Sequence, residues 1–144
     1  MSVTVKTILD EKGRSVVTVA PDLTVEAAAR ILHENRIGAV VILGVNRKVV
    51  GILTERDIVA AVAHHGAASL AMPVSEVMWR NVHVCTEEMT VNTLMEMMIS
   101  RRARHLPVVG DNTLAGIVSI GDVVKNHIRA IEREAEEIKA YIAG

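Results

Sequence analysis

A seven-residue pattern occurs twice in this chain, first as Gly51-Ile52-Leu53-Thr54-Glu55-Arg56-Asp57 and 65 residues later as Gly116-Ile117-Val118-Ser119-Ile120-Gly121-Asp122. Each run contains a glycine, two aliphatic residues, a hydroxyl residue and, three positions further on, an aspartate. Such a run is typical of a strand that ends where a helix begins, with the hydroxyl as a candidate N-cap. The duplication indicates that one structural unit is present twice.

The repeat extends upstream of these runs. Residues 15–19 and 81–85 are similar Val-rich segments, and each is followed by an acidic loop and a Thr-Val pair, Thr24-Val25 or Thr90-Val91. Here the offset is 66 residues, so we place a one-residue deletion in the turn between the last two strands. Thr24 and Thr90 are expected to cap helices.

Each copy is expected to form a β-α-β-β-α unit. In the second copy Val91, Leu94, Met95, Met98 and Ile99 form one apolar helical stripe. Neither unit alone covers its apolar faces, so the predicted fold is α/β (α+β), two units packed as a pseudo-two-fold pair plus a long C-terminal helix. The expected divisions are 1–66, 67–128 and a helical extension at 129–144, with a linker at 64–75.

Composition excludes several functional classes. The net charge is −1, with 16 Lys and Arg against 17 Asp and Glu, and the aromatic residues are Trp79 and Tyr141. Nucleic-acid binding needs a basic surface or stacking aromatics, so no nucleic-acid partner is expected. The polar N-terminus, the short apolar runs and a single cysteine, Cys85, predict a cytoplasmic protein without membrane contact. Cys85 has no evident activating partner and is expected to be inert.

The duplicated pattern, together with Arg104-His105-Leu106-Pro107-Val108-Val109, resembles the CBS domain pair, or Bateman module, over roughly residues 3–128. The chain looks like a stand-alone protein of the bacterial type. The resemblance implies a regulatory module, not an enzyme. It also implies that an adenine nucleotide binds in the cleft between the two units, with AMP as the first expectation and ADP, ATP or NAD(H) as alternatives. The signal would pass to a regulated protein that the sequence does not name.

The resemblance also implies site residues. Asp57 and Asp122 would accept hydrogen bonds from the vicinal hydroxyls of a ribose, and Thr54 and Ser119 would lie near a phosphate. The alternative is that these four residues only cap helices. The other residues assigned to the ligand by this resemblance are Thr18, Ile37, Gly38, Ala39, Val84, Leu106 and Pro107.

A basic cluster is expected to recognise phosphate. Arg102, Arg104 and His105 would meet the phosphate groups, with Arg56 as a further candidate. A guanidinium buried without an anion would be costly, and no carboxylate lies nearby in sequence. The alternative is that the arginines complement the C-terminal dipole of a helix.

Two other functional classes are alternatives to a regulatory module. The chain lacks a P-loop, a GxSxG elbow and a HExxH pair, so a small hydrolase or kinase is a weak alternative. A structural dimerisation module with vestigial sites is the other. No metal site is expected, because the adjacent His64 and His65 would point about 100° apart on a helix.

A heptad pattern predicts a homodimer. Apolar residues follow alternating spacings of four and three: Val124, Ile128, Ile131, Ala135, Ile138 and Ile142. This is the a/d seam of a coiled coil, and the residues beside it are charged. We expect two chains to pair through the flat disc typical of the family and through this helix.

Overall fold

The computed structural model describes residues 3–143, which form five α-helices and five strands. These are α1 Val5–Lys12, β1 Thr18–Val19, α2 Val25–Asn35, β2 Ala39–Leu43, β3 Val49–Thr54, α3 Glu55–His65, α4 Val91–Arg101, β4 His105–Gly110, β5 Thr113–Ser119 and α5 Ile120–Ala143. The α+β composition, the two repeats and the long C-terminal helix are confirmed.

The two copies have similar strand arrangements, with three strands in the first and two in the second. Strand β2 lies between β1, which is parallel to it, and β3, which is antiparallel. In the second copy β4 pairs with β5, and a parallel bridge from Cys85 to Val108 stands where the β1–β2 pairing is found in the first. The predicted strand at 81–85 is therefore reduced to this bridge.

The difference between the repeat offsets falls in the predicted turn. The longer loop from β2 to β3 contains a short 3-10 helix, Val45–Arg47. The turn from β4 to β5 consists of Asp111 and Asn112, with φ of 50° and 62°. Positive φ at both central residues is required by the tightest hairpin turns and is tolerated best by Asn, Asp and Gly.

The helix stripes are mostly buried as expected. Thr24 and Thr90 accept hydrogen bonds from Ala27 N and Thr93 N, so both predicted caps are confirmed. Val91, Leu94 and Met98 are buried in α4, and Met95 packs beside them. The prediction for Ile99 is wrong: its side chain is 71% exposed, because Met97 occupies the position against the core.

The chain forms two compact units that do not follow chain order. Unit 1 comprises the described segment up to Arg14, Val84–Gly110 and the chain from Ala115 onward, whereas unit 2 comprises Ser15–His83 and Asp111–Leu114. Helix α1, which the sequence did not predict, therefore belongs with the second copy. The division at residues 66 and 67 stays a prediction about the repeat.

Equivalent backbone hydrogen bonds hold these exchanged segments. In unit 1 the Val91 amide donates to the Val3 carbonyl at 2.9 Å. In unit 2 the Val25 amide donates to the Met72 carbonyl at 2.9 Å. Each copy is thus covered by the segment that precedes the other copy in sequence. The expected linker at 64–75 is accordingly ordered, with 3-10 helices at Gly66–Ala71 and Val74–Glu76 and with Ser69 and Val74 fully buried.

Candidate functional site

The strand-to-helix junction of unit 2 is a capping box. The Thr54 hydroxyl oxygen accepts a hydrogen bond from the Asp57 amide at 3.3 Å, and Asp57 Oδ2 accepts from the Thr54 amide at 2.9 Å. The Thr54 hydroxyl also lies 3.0 Å from Oδ2 as a donor. This reciprocal arrangement satisfies open amides at the start of α3. It holds the Asp57 carboxylate in one orientation, half-buried at the first turn.

Unit 1 contains the same box. Asp122 Oδ2 accepts from the Ser119 amide at 2.9 Å, and Ser119 Oγ accepts from the Asp122 amide at 3.2 Å. The capping interpretation of the four residues is therefore correct as a structural role. It does not exclude binding, because a carboxylate has about four lone-pair sites. Within residues 3–143 the Oδ1 atoms of Asp57 and Asp122 have no hydrogen bond.

A backbone hydrogen bond connects the helix that follows each box to the residue just before the neighbouring strand. The Glu55 amide donates to the Gly38 carbonyl at 3.1 Å, and the Ile120 amide donates to the Arg104 carbonyl at 2.8 Å. Ala39 pairs directly with Thr54 across β2 and β3. Unit 2 thus brings Gly38 and Ala39 to its box, and unit 1 brings the Arg104 and His105 segment to its own.

Lys12 distinguishes the two boxes. Its Nζ donates to Asp122 Oδ2 at 2.7 Å and to the Ile117 carbonyl at 3.0 Å. In the first copy the equivalent carbonyl, that of Ile52, accepts from the Trp79 amide at 2.9 Å. Partial burial raises the pKa of Asp122, but the hydrogen bonds from Lys12 and Ser119 outweigh this effect and leave the pKa lowered. Sequence reasoning missed Lys12, because 110 residues separate it from Asp122.

The basic cluster is exposed. Arg56, Arg102 and Arg104 all have exposed side chains, and His105 is half-buried. The premise that a buried guanidinium needs an anion is therefore wrong for these arginines, because water already solvates them. Arg102 ends α4 in the left-handed conformation, with φ of 53°, as does Arg36 at the end of α2. Phosphate recognition by the cluster stays a prediction.

The remaining predicted site residues differ in how exposed their side chains are. Thr18 and Val84 are exposed, whereas Ile37 is half-buried. Leu106 is fully buried in the core of unit 1, and Pro107 is buried next to it. These last two side chains pack the unit, so any ligand contact there would come from the backbone.

Other reactive groups are accounted for within residues 3–143. Cys85 is fully buried, and burial raises its thiol pKa to about 12, which agrees with the expectation that it is inert. No cluster of His, Cys, Asp or Glu in this part of the chain could hold a metal ion. A cleft of about 260 Å³ in unit 1 is lined by residues of α5 and of the start of α4, none of them a predicted site residue.

No helix within residues 3–143 combines the length and apolar character required to cross a membrane.

Known proteins share this sequence and architecture. The CBS domain family matches residues 5–64 and 74–128. The crystal structure of the CBS-domain containing protein ATU1752 from Agrobacterium tumefaciens is 53% identical, with a TM-score of 0.84 over 87% of this chain and 93% of that one. The mitochondrial CBS domain-containing protein CBSX3 of Arabidopsis thaliana is 31% identical over 99% of this chain and 73% of its own length.

A third similar protein was crystallised with ligands. The CBS domain pair of protein MJ0100, in complex with 5′-methylthioadenosine and S-adenosyl-L-methionine, is 28% identical, with a TM-score of 0.79 over 88% of this chain and 97% of that one. The two family matches coincide with the two copies of the repeat, and each copy carries its own Thr/Ser-x-x-Asp box. The chain belongs to the CBS domain family and is a CBS domain pair, a regulatory module.

Proposed function

We propose that this module binds an adenosine-containing ligand through Asp57 and Asp122 and reports its presence to a partner protein. AMP is the first expectation, with ADP, ATP and NAD(H) as alternatives. The observation that carries the proposal is the pair of capping boxes, in which Oδ2 holds the helix start and Oδ1 remains available. A location of the ligand between the two units, which the family resemblance implies, stays a prediction.

The chemistry of the boxes suits a ribose. Its vicinal 2′- and 3′-hydroxyls are two donors held close together, and an ionised carboxylate accepts both with charge-assisted hydrogen bonds. The capping box fixes the Asp57 carboxylate before the ligand arrives, so little side-chain freedom is lost on binding. The MJ0100 pair supports this class of ligand, since both of its ligands are adenosine derivatives.

The two boxes are not expected to bind equally. Asp122 is already neutralised by Lys12, whose side chain is about one-third exposed. A ribose at Asp122 must share the carboxylate with this ammonium group or displace it. Asp57 has no ion pair within residues 3–143. We therefore propose that the Asp57 box binds the ligand more tightly.

Calorimetry with AMP on Asp57→Asn and Asp122→Asn tests the proposal. An asparagine oxygen can still accept from the Thr54 or Ser119 amide, so the helix caps are retained. Loss of a charge-assisted bond is expected to weaken binding at least about tenfold, and more for Asp57 than for Asp122. Glu55→Gln is the matched control, because it removes one charge from the same first turn of α3 outside the box. Unchanged AMP affinity in both asparagine variants would refute the site.

The role of the basic cluster needs a separate arm of this experiment, because neither ligand of the MJ0100 pair carries a phosphate. Arg102→Ala and Arg104→Ala are expected to weaken AMP strongly and adenosine hardly at all. Arg36→Ala controls for loss of a left-handed helix end, since Arg36 occupies the same position as Arg102 in the other copy. An equal loss of affinity for AMP and for adenosine would indicate that the cluster has only a structural role.

The alternatives predict different outcomes. A hydrolase or kinase would convert AMP or ATP during incubation, which chromatography of the nucleotides detects. A vestigial structural module would bind no adenosine compound and release none when the purified protein is denatured. The proposed regulatory module releases or binds the nucleotide without changing it.

We also propose that the module is a homodimer, through the disc typical of the family and through α5. The seam on α5 supports the second contact. Ile131, Ile138 and Ile142 are all more than half exposed in the single chain, so this apolar surface has no cover within residues 3–143. Apolar residues repeated at heptad spacing on an exposed helix favour association with another helix.

A further inference from the structure

The outer half of α5 is exposed, and only Ile131 and Glu134 at its start line the cleft beside α4. From Ile131 to Ala143 every residue is exposed. This stretch is about 20 Å long at 1.5 Å per residue. Helical stability in proteins comes mostly from packing of an apolar face, so a helical partner on the seam would stabilise this segment. Helix α5 has 24 residues, against 11 for α3, its equivalent in the first copy.

The charges beside the seam are complementary to a second copy in the parallel orientation. With Ile131 and Ile138 at d positions and Ala135 at a, Glu134 occupies a g position and Lys139 the e position five residues later. In a parallel pair, g of one helix lies opposite this e of the other. Glu134 of each chain therefore meets the partner's Lys139, which gives two ion pairs per dimer.

One heptad earlier the same relationship joins His127 and Glu132. These residues place no like charges opposite each other in the parallel orientation. All g–e pairs along the seam between Ile128 and Ile142 are thus favourable or neutral.

The antiparallel orientation opposes like charges. When two antiparallel helices overlap along the whole seam, g faces g and e faces e. Glu134 then faces the partner's Glu134, and Glu132 faces the partner's Glu132. Lys125 faces the partner's Lys139. A shift by one heptad removes this repulsion but leaves apolar residues at one end of the seam in water.

We infer that α5 pairs with α5 of a second copy as a parallel two-stranded coiled coil, with Glu134–Lys139 ion pairs on both sides. The inference rests on the homodimer proposed above and is independent of nucleotide binding. It places the two copies with the same end of α5 together, around a two-fold axis along the helix pair.

Cysteine cross-linking tests the orientation. Val124→Cys and Ile142→Cys lie at opposite ends of the seam and face each other across an antiparallel pair, and each is oxidised alone and in a one-to-one mixture. In a parallel pair each variant forms a disulfide-linked dimer by itself. The native chain is the negative control and is expected to form no disulfide, because its cysteine, Cys85, is fully buried.

Three cross-linking results would overturn the inference. Linkage only in the mixture would show an antiparallel pair. A dimer by light scattering without any linkage would place the interface elsewhere, which refutes the coiled coil and leaves the homodimer intact. A monomer at all concentrations would refute both, while ligand binding would be judged separately by calorimetry.

Charge exchange provides a second test that leaves the apolar seam unchanged. Glu134→Lys and Lys139→Glu are each expected to raise the dimer dissociation constant by about two- to tenfold, and the double variant is expected to restore it. Glu137→Lys, three residues from Glu134 on the outer face of the pair, is the matched control and should change little. Failure of the double variant to recover would contradict the parallel pairing.

Discussion

At the scale of single residues, the two aspartates show how one motif acquires different surroundings. Asp57 and Asp122 occupy the same position in equivalent capping boxes. Lys12 reaches only the second, where it also bonds the Ile117 carbonyl. The carboxylate in unit 1 therefore carries a structural ion pair as well as a helix cap.

The Lys12–Asp122 pair predicts a pH-dependent contribution to stability. Because the pKa of Asp122 is lowered in the folded state, its contribution is present above the ordinary value of 3.8 and is lost as pH falls through the lower folded value. Lys12→Met is expected to reduce the free energy of unfolding by about 1 kcal/mol or less near pH 6, since the pair is partly exposed. Urea unfolding at a series of pH values should show this difference shrinking below about pH 4.

Lys6→Met is the matched control for this measurement. Lys6 also bonds a carboxylate of unit 1, that of Asp10, at 2.8 Å, but its side chain is far more exposed. A difference between wild type and Lys12→Met that stays constant down to pH 2 would contradict an ionic contribution from Asp122.

At the scale of elements, α1 acts as a cover for the second copy. Val5, Ile8 and Leu9 are fully or almost fully buried and join the core that contains Leu94 and Val118. Their spacing is that of one face of a helix, yet two turns are too short for the pattern to be decisive. The helix is stabilised by the core it covers, because a free helix of eight residues would not persist in water.

The close approach of α1 to β5 predicts coupling between Leu9 and Gly116. A Cβ built on Gly116 would lie 2.8 and 2.9 Å from the two methyl carbons of Leu9, so Gly116→Ala must displace buried atoms. We expect a loss of about 1–3 kcal/mol for Gly116→Ala and about 2–5 kcal/mol for Leu9→Ala, measured by urea unfolding.

The double variant is expected to lose less than the sum of the two single losses, since the space vacated by Leu9 accommodates the new methyl group. Gly110→Ala is the control on the same hairpin, because a Cβ there would meet no atom within 4 Å. Strictly additive losses would show that α1 and β5 do not depend on each other.

At the scale of the whole molecule, the outer part of α5 carries an apolar seam that stays exposed to water in a single chain. The core residues of this helix, Val123 and Asn126, lie in its first two turns. Arg129 forms an ion pair with Glu11 of α1, and within residues 3–143 no later residue of α5 forms an ion pair. Residues beyond it carry the exposed half of the seam.

Truncation after Arg129 is therefore expected to weaken the dimer while the folded unit is retained. Light scattering across a dilution series should show a dissociation constant raised at least about tenfold, because several apolar layers are removed. Thermal unfolding of the truncated chain checks that the core is intact. An unchanged dimer would remove α5 from the interface and leave the disc contact as the alternative.

Much of the fold was predictable because its signals are local. A helix cap, an apolar stripe and a short turn each depend on residues within about four positions of one another. The caps Thr24 and Thr90 and the turn between the last two strands were predicted on that basis. Repetition then strengthened each signal, since a chance motif would not recur in register. The prediction that Ile99 belongs to the buried stripe was wrong, because its spacing fitted the stripe while the packing in unit 1 favoured Met97.

The sequence by itself determined the repeat, the order of elements and the two Thr/Ser-x-x-Asp boxes. Tertiary structure decided which segment covers which copy, that Lys12 reaches Asp122, and that the arginines of the basic cluster are exposed. The physical reason is separation along the chain. Contacts between residues 110 positions apart leave no periodicity in the sequence, and burial is fixed only when distant segments pack against each other.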